Sequence, residues 1–329
     1  MSTVRDIGEF GLIDRIARLL PTSPAVVLGV GDDCAVLRFC ERMMLVSCDL
    51  FVENVHFRQD YAQPEQIGWK AAAAAMSDIA AMGGQPMFVL VALGCPPETP
   101  AQYVQMLYRG LSSAVSRFGA AIVGGDTSMS PDGIALDVTV IGQGIGNRCL
   151  TRRGARAGDA LAVTGPLGLA AAGLHSLQHG HLAPALQAAH LSPRPRVPEG
   201  QWLCSQPFAH AMIDISDGLA QDAKHIADAS KIGVLIDTAK LPIHADLQAY
   251  CDQHGLDPLR FILAGGDDYE LAAAVDGEHA AKAVEAFGNE FRTGLSLIGE
   301  FTTEWTGVRV DGQPLDETGY SHFSSGPQA

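Results

Sequence analysis

The chain has 329 residues, of which 47% are hydrophobic and 18% are charged. At about 100–200 residues per domain, this length predicts two domains with large apolar cores, and it excludes a small disulfide-held scaffold and a largely disordered chain. The net charge of −15, from 37 acidic and 22 basic residues, disfavours nucleic acid and anionic membranes as partners because like charges repel.

Apolar, often β-branched runs alternate with Ala- and Leu-rich helical patterns, which is typical of a mixed α and β protein. The predicted strands are Ala25–Val30, Met43–Ser47, Met87–Leu93, Ala120–Val123, Ala135–Ile141, Ala160–Val163, Ala211–Ile213, Val234–Ile236, Ala272–Val275 and Ser296–Gly299. The predicted helices are Phe10–Leu20, Pro64–Met82, Pro100–Phe118, Gly168–His179, Gly218–Ser230 and Gly277–Phe287.

Two segments without helical or strand patterns divide the chain further. The glycines of Gly142–Gly146 follow a strand and indicate a domain boundary, which gives an N-terminal domain of residues 1–146 and a C-terminal domain of residues 147–329. The proline-rich stretch Ser192–Pro198 is predicted to be an extended connection, because proline cannot continue a helix. The tail, Asp316–Ala329, is predicted to be irregular.

Cysteine usage and the N-terminus favour a cytoplasmic location. The 7 cysteines are odd in number and form no C-x-x-C pair, so reduced thiols are expected. Met1–Pro21 has the pattern of an amphipathic helix and lacks the basic start and cleavage site of an export signal. The longest apolar stretch, Ala160–Leu174, is interrupted by glycine and proline and is shorter than the about 20 residues that cross a bilayer.

Acidic residues directly follow five short apolar runs, usually after glycine. These acids are Asp32 and Asp33, Asp49, Asp126, Asp214 with Asp217, and Asp267 with Asp268. A single acid at such a position usually belongs to a strand-terminating turn. The turn interpretation is harder to apply to all five runs. The loops at one edge of a sheet lie close together, so acids on several of them would converge.

A further acid, Asp78, lies inside an Ala-rich predicted helix, where aspartate is less favourable than alanine. It either faces solvent or has a buried functional role, and its small neighbours favour the second. If these acids converge, they must take up protons or bind cations, and oxygen-rich carboxylate sites suit Mg²⁺. The glycines of Gly124–Gly125 and Gly265–Gly266 would let backbone N–H groups approach an anion. The sequence therefore predicts a metal and phosphate site, in which metal ions supply the positive charge that this acidic chain lacks.

Other standard sites find little support. No lysine is followed by Ser or Thr as in a P-loop, and no G-x-G-x-x-G fingerprint is present. His175, His179 and His181 lack the intervening Glu of an H-E-x-x-H zinc motif and are interpreted as surface residues. Ser216 lies between two candidate ligands and is not interpreted as a catalytic nucleophile.

Two more residues have both a functional and a structural interpretation. His56 follows an acidic segment and could contact a substrate, or it could be a hydrogen-bonded structural histidine. Arg152 opens the second half and could bind a phosphate through two nitrogens, or it could be a solvated surface residue.

Taken together, nine motifs resemble the thiamine-monophosphate kinase family of the aminoimidazole ribonucleotide synthetase superfamily, in the expected order and over nearly the whole chain. The motifs are Gly8–Phe10, Gly31–Ala35, Asn54–Phe57, Met76–Gly83, Gly124–Thr127, Leu150–Arg152, Ile213–Gly218, Gly265–Leu271 and Gly319–Phe323. The resemblance implies an α+β, two-domain fold whose N-terminal domain forms a β-barrel across a homodimer, followed by a C-terminal αβ domain. It also implies ATP-dependent, Mg²⁺-assisted phosphorylation of thiamine monophosphate to thiamine diphosphate, the last step of thiamine diphosphate biosynthesis.

The resemblance also implies roles for individual residues. Several Mg²⁺ ions would be held by Asp32, Ser47, Cys48, Asp49, Asp78, Asp126, Asp214 and Asp217. ATP would contact Gly125, Asp126, Arg152 and Ser216. Thiamine monophosphate would contact His56, Asp267 and Tyr320, the last by stacking on a substrate ring.

The chain departs from the family pattern at two of these positions. Cys48 stands where Thr is usual, and because a thiol is a poor Mg²⁺ ligand, only its backbone carbonyl is expected to serve. Asp267 stands where Glu is frequent, and its side chain is shorter by one methylene group. No catalytic nucleophile is predicted: the acceptor phosphate is already largely ionised at about pH 7, so direct in-line transfer needs positioning and metal ions but no strong base.

Three other functions are alternatives to a thiamine-monophosphate kinase. A selenophosphate synthetase is expected to carry a reactive Cys near its N-terminus, whereas the first cysteine here is Cys34. The hydrogenase-maturation relative is expected to end in a catalytic Cys, whereas this chain ends in Ala329. A non-catalytic nucleotide or metal sensor on the same scaffold is expected to have lost part of the acidic set, which is complete here.

Overall fold

Two β-sheets, one in each half of the chain, form the framework of the molecule. The computed structural model describes residues 3–21, 23–146, 148–315 and 319–320. The first sheet has the strand order β1-β2-β3-β6-β4-β5. Its strands are β1 (Val26–Leu28), β2 (Ala35–Phe39), β3 (Arg42–Val52), β4 (Gly84–Cys95), β5 (Ala121–Met129) and β6 (Ala135–Gly144).

Three helices accompany the first sheet: α1 (Val4–Ala17), α2 (Pro64–Ala81) and α3 (Ala101–Arg117). Helix α2 begins with Pro64 in its first turn, where the missing N–H costs no hydrogen bond. Its alanines are buried nearly throughout, and it packs on one face of the sheet against β3, β4 and β6. Small side chains let α2 also contact β8 and α6 of the second half, so this helix connects the two halves.

The second sheet has the strand order β13-β12-β9-β11-β7-β10-β8. Its strands are β7 (Ala160–Thr164), β8 (Ala209–Ile215), β9 (Gly233–Ile236), β10 (Glu270–Val275), β11 (Leu295–Thr302), β12 (Gly307–Val310) and β13 (Gln313–Pro314). The helices of this half are α4 (Leu169–Gln178), α5 (Pro184–Leu191), α6 (Val197–Ser205), α7 (Leu219–Ser230), α8 (Ala245–His254), α9 (Pro258–Ala264) and α10 (Ala280–Glu290), with a 3-10 helix at Thr238–Lys240. Apolar side chains on both faces of this sheet are buried, and its central strands β7 and β10 are accordingly apolar except at Thr164 and Glu270.

Each predicted strand and helix overlaps an element of the structure, but several boundaries were wrong. Helix α1 begins at Val4 and has a kink at Gly8, whose φ of 67° is not helical. The stretch Ser192–Pro198 is extended only in part, because α6 already begins at Val197, with proline in its first turn. The sequence patterns also missed strands β2, β12 and β13 and helices α5, α6, α8 and α9.

The interpretation of the acids as strand-terminating was wrong in three places. Asp49 and Asp126 lie inside β3 and β5, and the segment before Asp267 and Asp268 is helix α9 rather than a strand. The boundary between residues 146 and 147 lies between the last strand of the first sheet and the first strand of the second, and it stays a prediction. Asn147 and most of the tail, including Ser321–Phe323 of one motif, lie outside the described residues.

None of the described helices combines the length and the apolar character that crossing a membrane requires.

Candidate functional site

Three carboxylates from separate elements meet where the two halves of the chain face each other. Asp33 lies in the loop after β1, Asp78 in the C-terminal part of α2, and Asp214 near the end of β8. One oxygen of each lies within 4.8 Å of an oxygen of the other two. We call these three residues the carboxylate cluster.

The carboxylate cluster has the chemistry of a divalent metal site. Burial, followed by the charge of Asp33, raises the pKa of Asp214 to about 8. Burial and the charges of Asp49, Asp214 and Asp33 raise the pKa of Asp78 well above its usual range. Within the described residues, the buried Oδ2 of Asp33 has no hydrogen-bond partner. Hard oxygen ligands with excess negative charge fit Mg²⁺, which binds carboxylates and retains water or phosphate ligands.

Strand β3 presents alternate residues to opposite sides, as the pleat requires. Ser47 donates a short hydrogen bond to the Asp78 carboxylate, and Asp49 is close enough for its charge to raise the pKa of Asp78. Cys48 lies on the opposite face, where its Sγ is 3.0 Å from Oδ2 of Asp137. The Cys48 thiol therefore points away from the carboxylate cluster, and only the backbone of Cys48, which joins Ser47 to Asp49, is available as a ligand.

Arg152 connects both residues of the Asp32–Asp33 turn to the second half. Its Nε and Nη2 donate to Oδ1 of Asp33 at 2.9 and 2.5 Å, and its backbone N–H donates to Oδ1 and Oδ2 of Asp32 at 3.3 and 3.1 Å. Burial and the charge of Asp33 raise the pKa of Asp32 to about 6. The carboxylate cluster contains Asp33 and not Asp32, which the family resemblance implies as the ligand. Both follow the same glycine, so spacing alone cannot tell which one points inward.

A second group of possible ligands, Asp217, Asp222 and His225, lies at the start of α7. Oδ2 of Asp222 accepts the backbone N–H groups of Ser216, Asp217 and Gly218, each at 3.1 Å, and so fixes the loop after β8. Burial and the charge of Glu9 raise the pKa of Asp217 to about 7. Burial and nearby Arg152 lower the pKa of His225 to about 4, so its ring is neutral at neutral pH. The sequence analysis had missed Asp222 and His225, although both lie in the helix that directly follows the Asp217 motif.

Asp126 lies apart from these groups. It is exposed on strand β5, opposite Ala92 of β4, and belongs to neither the carboxylate cluster nor the Asp217 group. The neighbouring Gly125 is required by close packing, because a Cβ there would overlap the carbonyl oxygen of Val91. The sequence had predicted that Asp126 joins the other acids, and the described geometry does not bring it among them.

The residues proposed for the acceptor substrate occupy two places. Asp267 follows α9, and its N–H donates to the carbonyl of Ser216 at 2.9 Å; the half-buried Tyr320 donates its N–H to the carbonyl of Asp217 at 3.1 Å. Asp267 and Tyr320 thus flank the loop after β8. His56 lies in the turn after β3, where its Nδ1 accepts the N–H of Val52 at 3.0 Å and its ring stacks on Phe51 with centroids 5.1 Å apart.

Comparisons with known proteins found two family models and relatives that match nearly the whole chain. Family models of the AIR synthase related protein match twice, the N-terminal domain over residues 31–144 and the C-terminal domain over residues 156–311. The thiamine-monophosphate kinase of Aquifex aeolicus is 34% identical over 325 residues, covering 97% of this chain and 99% of that protein. The thiamine-monophosphate kinase of Escherichia coli is 36% identical over 330 residues, with 97% and 99% covered. The solved structure of AaThiL complexed with AMPPCP and TMP superposes with a TM-score of 0.87 at 34% identity, covering 98% of this chain and 99% of that one.

Proposed function

The chain belongs to the thiamine-monophosphate kinase family and has its two-domain AIR synthase-like α+β fold, and from this premise we propose that it performs that family's reaction. It transfers the γ-phosphoryl group of ATP to the phosphate of thiamine monophosphate, giving thiamine diphosphate and ADP. The observation that carries this proposal is the convergence of Asp33, Asp78 and Asp214 on one point, where burial prevents their mutual repulsion from being relieved by solvent.

We propose that Mg²⁺ is held by the carboxylate cluster together with the neighbouring oxygen ligands. The proposed ligands are Asp32, Asp33, Ser47, the Cys48 carbonyl, Asp49, Asp78, Asp126, Asp214 and Asp217. When bound, the metal supplies the positive charge that neutralises the transferring phosphoryl group. Asp126 remains in this set because a nucleotide approaching the edge strand β5 would bring its own phosphates and cations to that carboxylate.

The nucleotide is proposed to contact Gly125, Asp126, Arg152 and Ser216. Gly125 exposes its backbone on the edge strand, so a phosphate can approach without meeting a side chain. Arg152 uses Nε and Nη2 on Asp33, which leaves its other guanidinium nitrogen for a phosphate oxygen. Ser216 is exposed beside Asp217, on the loop that Asp222 fixes.

The acceptor is proposed to contact His56, Asp267 and Tyr320. Asp267 and Tyr320 flank Asp217, so a phosphate bound near that loop would place the organic part of the acceptor between them. Tyr320 offers an aromatic ring for stacking. Because the acceptor oxygen is ionised before reaction, the chain's residues orient donor and acceptor and exclude water, and no protein nucleophile intervenes.

A homodimer is proposed because one face of the first sheet is apolar and uncovered. Helix α2 packs on the opposite face, whereas Leu50, Phe88 and Leu90 on the outer face are 57%, 41% and 38% exposed. Leu50 pairs with Asp137 and Leu90 with Thr139 of β6, so these residues belong to one exposed patch of apolar side chains that also contains an acid. A second copy of this sheet, packed face to face to form a barrel, would bury that patch. A cytoplasmic location is proposed from the seven free cysteines.

The reaction is tested by incubating the protein with ATP, Mg²⁺ and thiamine monophosphate and separating the products by chromatography. Thiamine diphosphate and ADP formed in equal amounts, and only with Mg²⁺, support the proposal. Binding of both ligands without product would identify a sensor instead. Donor ATP with a chiral, isotopically labelled γ-phosphoryl group tests the direct transfer: inversion at phosphorus is expected, whereas retention or a trapped phosphoenzyme would rule it out.

A further inference from the structure

Lys70 is a buried cation that the site described above does not include. It lies in α2, is 3% exposed, and its Nζ is 2.8 Å from Oδ2 of Asp267. The same Nζ lies 3.2 and 3.3 Å from the ring nitrogens of His190 in α5. This contact joins the first half of the chain to the loop that carries Asp267.

The Asp267 loop is fixed on its other side as well. The Tyr269 hydroxyl donates to Oδ1 of Asp267 at 2.8 Å. The backbone N–H groups of Asp267 and Tyr269 donate to the carbonyls of Ser216 and Ile215 at 2.9 and 2.8 Å. A Cβ at Gly266 would overlap the carbonyl oxygen of Ser216, so the loop packs directly against the end of β8.

With Lys70 on one oxygen and Tyr269 on the other, the Asp267 carboxylate still has acceptor capacity. A carboxylate has about four lone-pair positions, and the two contacts use two of them. The Asp267 side chain is 34% exposed, in contrast to 4% for the Lys70 side chain. The unused positions therefore face the open side, beside Asp217 and Tyr320, whose pKa values are raised in part by the charge of Asp267.

The charge of Asp267 depends on Lys70. Burial alone would raise the pKa of Asp267, but the charge of Lys70 and the hydrogen bonds from Lys70 and Tyr269 lower it to about 2. With Lys70 in place, burial and the ammonium charge lower the pKa of His190 to about 3, so its ring is neutral at neutral pH and Lys70 carries the positive charge beside Asp267. The Phe51 ring centroid also lies 6.0 Å from the ammonium nitrogen.

We propose that Lys70 is a positioning residue of the acceptor site, which holds Asp267 as a fixed negative group that receives the cationic or amino-bearing end of the acceptor. This inference rests on the proposed function, and it deepens that function by separating two tasks. The carboxylate cluster and Arg152 would handle phosphate, whereas Lys70, acting through Asp267, would select an acceptor whose other end is a cation or an amine. Thiamine monophosphate has both groups, a thiazolium ring and an aminopyrimidine.

The first test is Lys70→Met, with Lys240→Met as the matched control because Lys240 forms only an exposed ion pair with Asp237. We expect the KM for thiamine monophosphate to rise about tenfold or more, the factor for losing one charge-assisted contact. The KM for ATP and kcat are expected to stay within about threefold of their original values, because Lys70 touches neither phosphate group. A structural role alone would instead change both KM values and kcat together.

A pH profile separates positioning from packing. The ratio of the KM of Lys70→Met to that of the unaltered protein cancels the titration of the substrate phosphate. We expect this ratio to rise as the pH falls from about 8 to about 5 when both proteins also carry His190→Gln, which removes the imidazole that would otherwise take the place of the ammonium group. Without a cation beside it, partly buried Asp267 takes up a proton more readily. Besides Lys70, the titratable groups near Asp267 include His190, Tyr269, Asp217, Tyr320, Tyr61 and Asp268. A flat ratio would overturn the inference.

If Lys70→Met fails to fold, the test uses two other proteins. They are Asp267→Asn and the double variant that combines Lys70→Met with Asp267→Asn. The double variant contains no unpaired buried charge. If Lys70 acts through Asp267, adding Lys70→Met to Asp267→Asn leaves the KM for thiamine monophosphate within about twofold. A further rise in this KM of about tenfold, equal to the rise in Lys70→Met alone, would overturn the inference.

Calorimetry with a non-hydrolysable ATP analogue separates failure of this inference from failure of the proposed function. Thiamine monophosphate is expected to bind the unaltered protein and to bind Lys70→Met, or the double variant, about tenfold more weakly. If the unaltered protein turns over its substrates and Lys70→Met binds thiamine monophosphate equally well, only the inference about Lys70 is wrong. If the unaltered protein neither binds nor phosphorylates thiamine monophosphate, both are wrong.

Discussion

Arg152 and Asp33 form an ion pair across the two halves of the chain, with Nη2 2.5 Å from Oδ1, and the side chain of Asp33 is completely buried. The backbone N–H of Arg152 also donates to Asp32. The guanidinium therefore partly neutralises a carboxylate cluster that burial would otherwise make unfavourable. When all three carboxylates are ionised, one arginine leaves them with net negative charge, which a divalent cation can balance.

Replacing Arg152 by Met is expected to lower the free energy of unfolding by about 3–5 kcal/mol, because Asp33 would remain buried without its partner. Urea denaturation measures this change. The neighbouring exposed Arg153→Met is the control, with an expected change of at most about 0.5 kcal/mol. Equal stability of the two variants would show that the Arg152–Asp33 pair does not hold the two halves together.

Asp78→Asn is expected to reduce kcat by about a hundredfold or more, because it removes a metal ligand at the centre of the carboxylate cluster. The metal-free variant is nevertheless expected to be about as stable as the unaltered protein, since burial and the neighbouring acids already favour the uncharged form of Asp78. Thermal unfolding with and without Mg²⁺ tests both points: Mg²⁺ should raise the Tm of the unaltered protein far more than that of Asp78→Asn. A variant that is both less stable without metal and equally protected by Mg²⁺ would contradict this role.

The stability of the metal-free protein is expected to fall as the pH rises. The pKa of Asp214 is raised to about 8 and that of Asp217 to about 7, by burial first and then by neighbouring acids, from 3.8 for an ordinary aspartate. As the pH rises above about 4, the unfolded chain loses these protons while the folded chain retains them, so the stabilisation present at low pH is lost up to about pH 8. The Tm in EDTA should therefore decrease from pH 5 to pH 8, and Mg²⁺ should reverse the decrease. A Tm that increases with pH in EDTA would contradict the raised pKa values.

Cys48→Thr is expected to leave kcat and both KM values within about twofold, because the thiol lies on the outer face of the sheet and threonine suits a strand. Ser47→Ala is the matched change on the inner face. It is expected to lower activity about tenfold, since it removes the hydroxyl that bonds to Asp78 and orients it. Steady-state kinetics compares the two. The opposite order of effects would mean that the thiol rather than the backbone of residue 48 contributes to the site.

Leu50→Glu is expected to convert a dimer into a monomer, because it places a charge in the centre of the exposed apolar face of the first sheet. Leu182→Glu, at a residue that is 89% exposed in the second half, is the control and should leave the mass unchanged. Light scattering after size-exclusion chromatography measures the mass. A monomeric unaltered protein, or a dimer that persists in Leu50→Glu, would rule out this interface.

The sequence predicted the chemistry of the site better than it predicted which residues form it. The pattern of acids after apolar runs identified Asp214 and Asp217, which lie near the end of β8 and in the loop that follows it. Asp32 and Asp33 could not be separated in this way, since adjacent residues of one turn point in different directions and tertiary packing decides which is buried. The same limit explains Asp126, which follows the same Gly-Gly-Asp pattern as Asp267 and yet lies exposed on an edge strand.

Contacts between distant segments were beyond the sequence patterns altogether. Lys70 lies 120 residues from His190 and 197 residues from Asp267, and no periodicity relates them. A lysine in an Ala-rich helix is ordinarily a solvent-exposed residue. Its burial depends on how α2 packs against the second half of the chain, which only the folded structure shows.

The account depends on a divalent cation between Asp33, Asp78 and Asp214, and diffraction from crystals grown with Mn²⁺ and a non-hydrolysable ATP analogue tests this directly. Anomalous scattering locates manganese without reference to the protein density. We expect a peak within about 2.5 Å of an oxygen of each of the three carboxylates, in contact with a phosphate oxygen of the analogue. A bound nucleotide with no peak among these carboxylates would contradict the account.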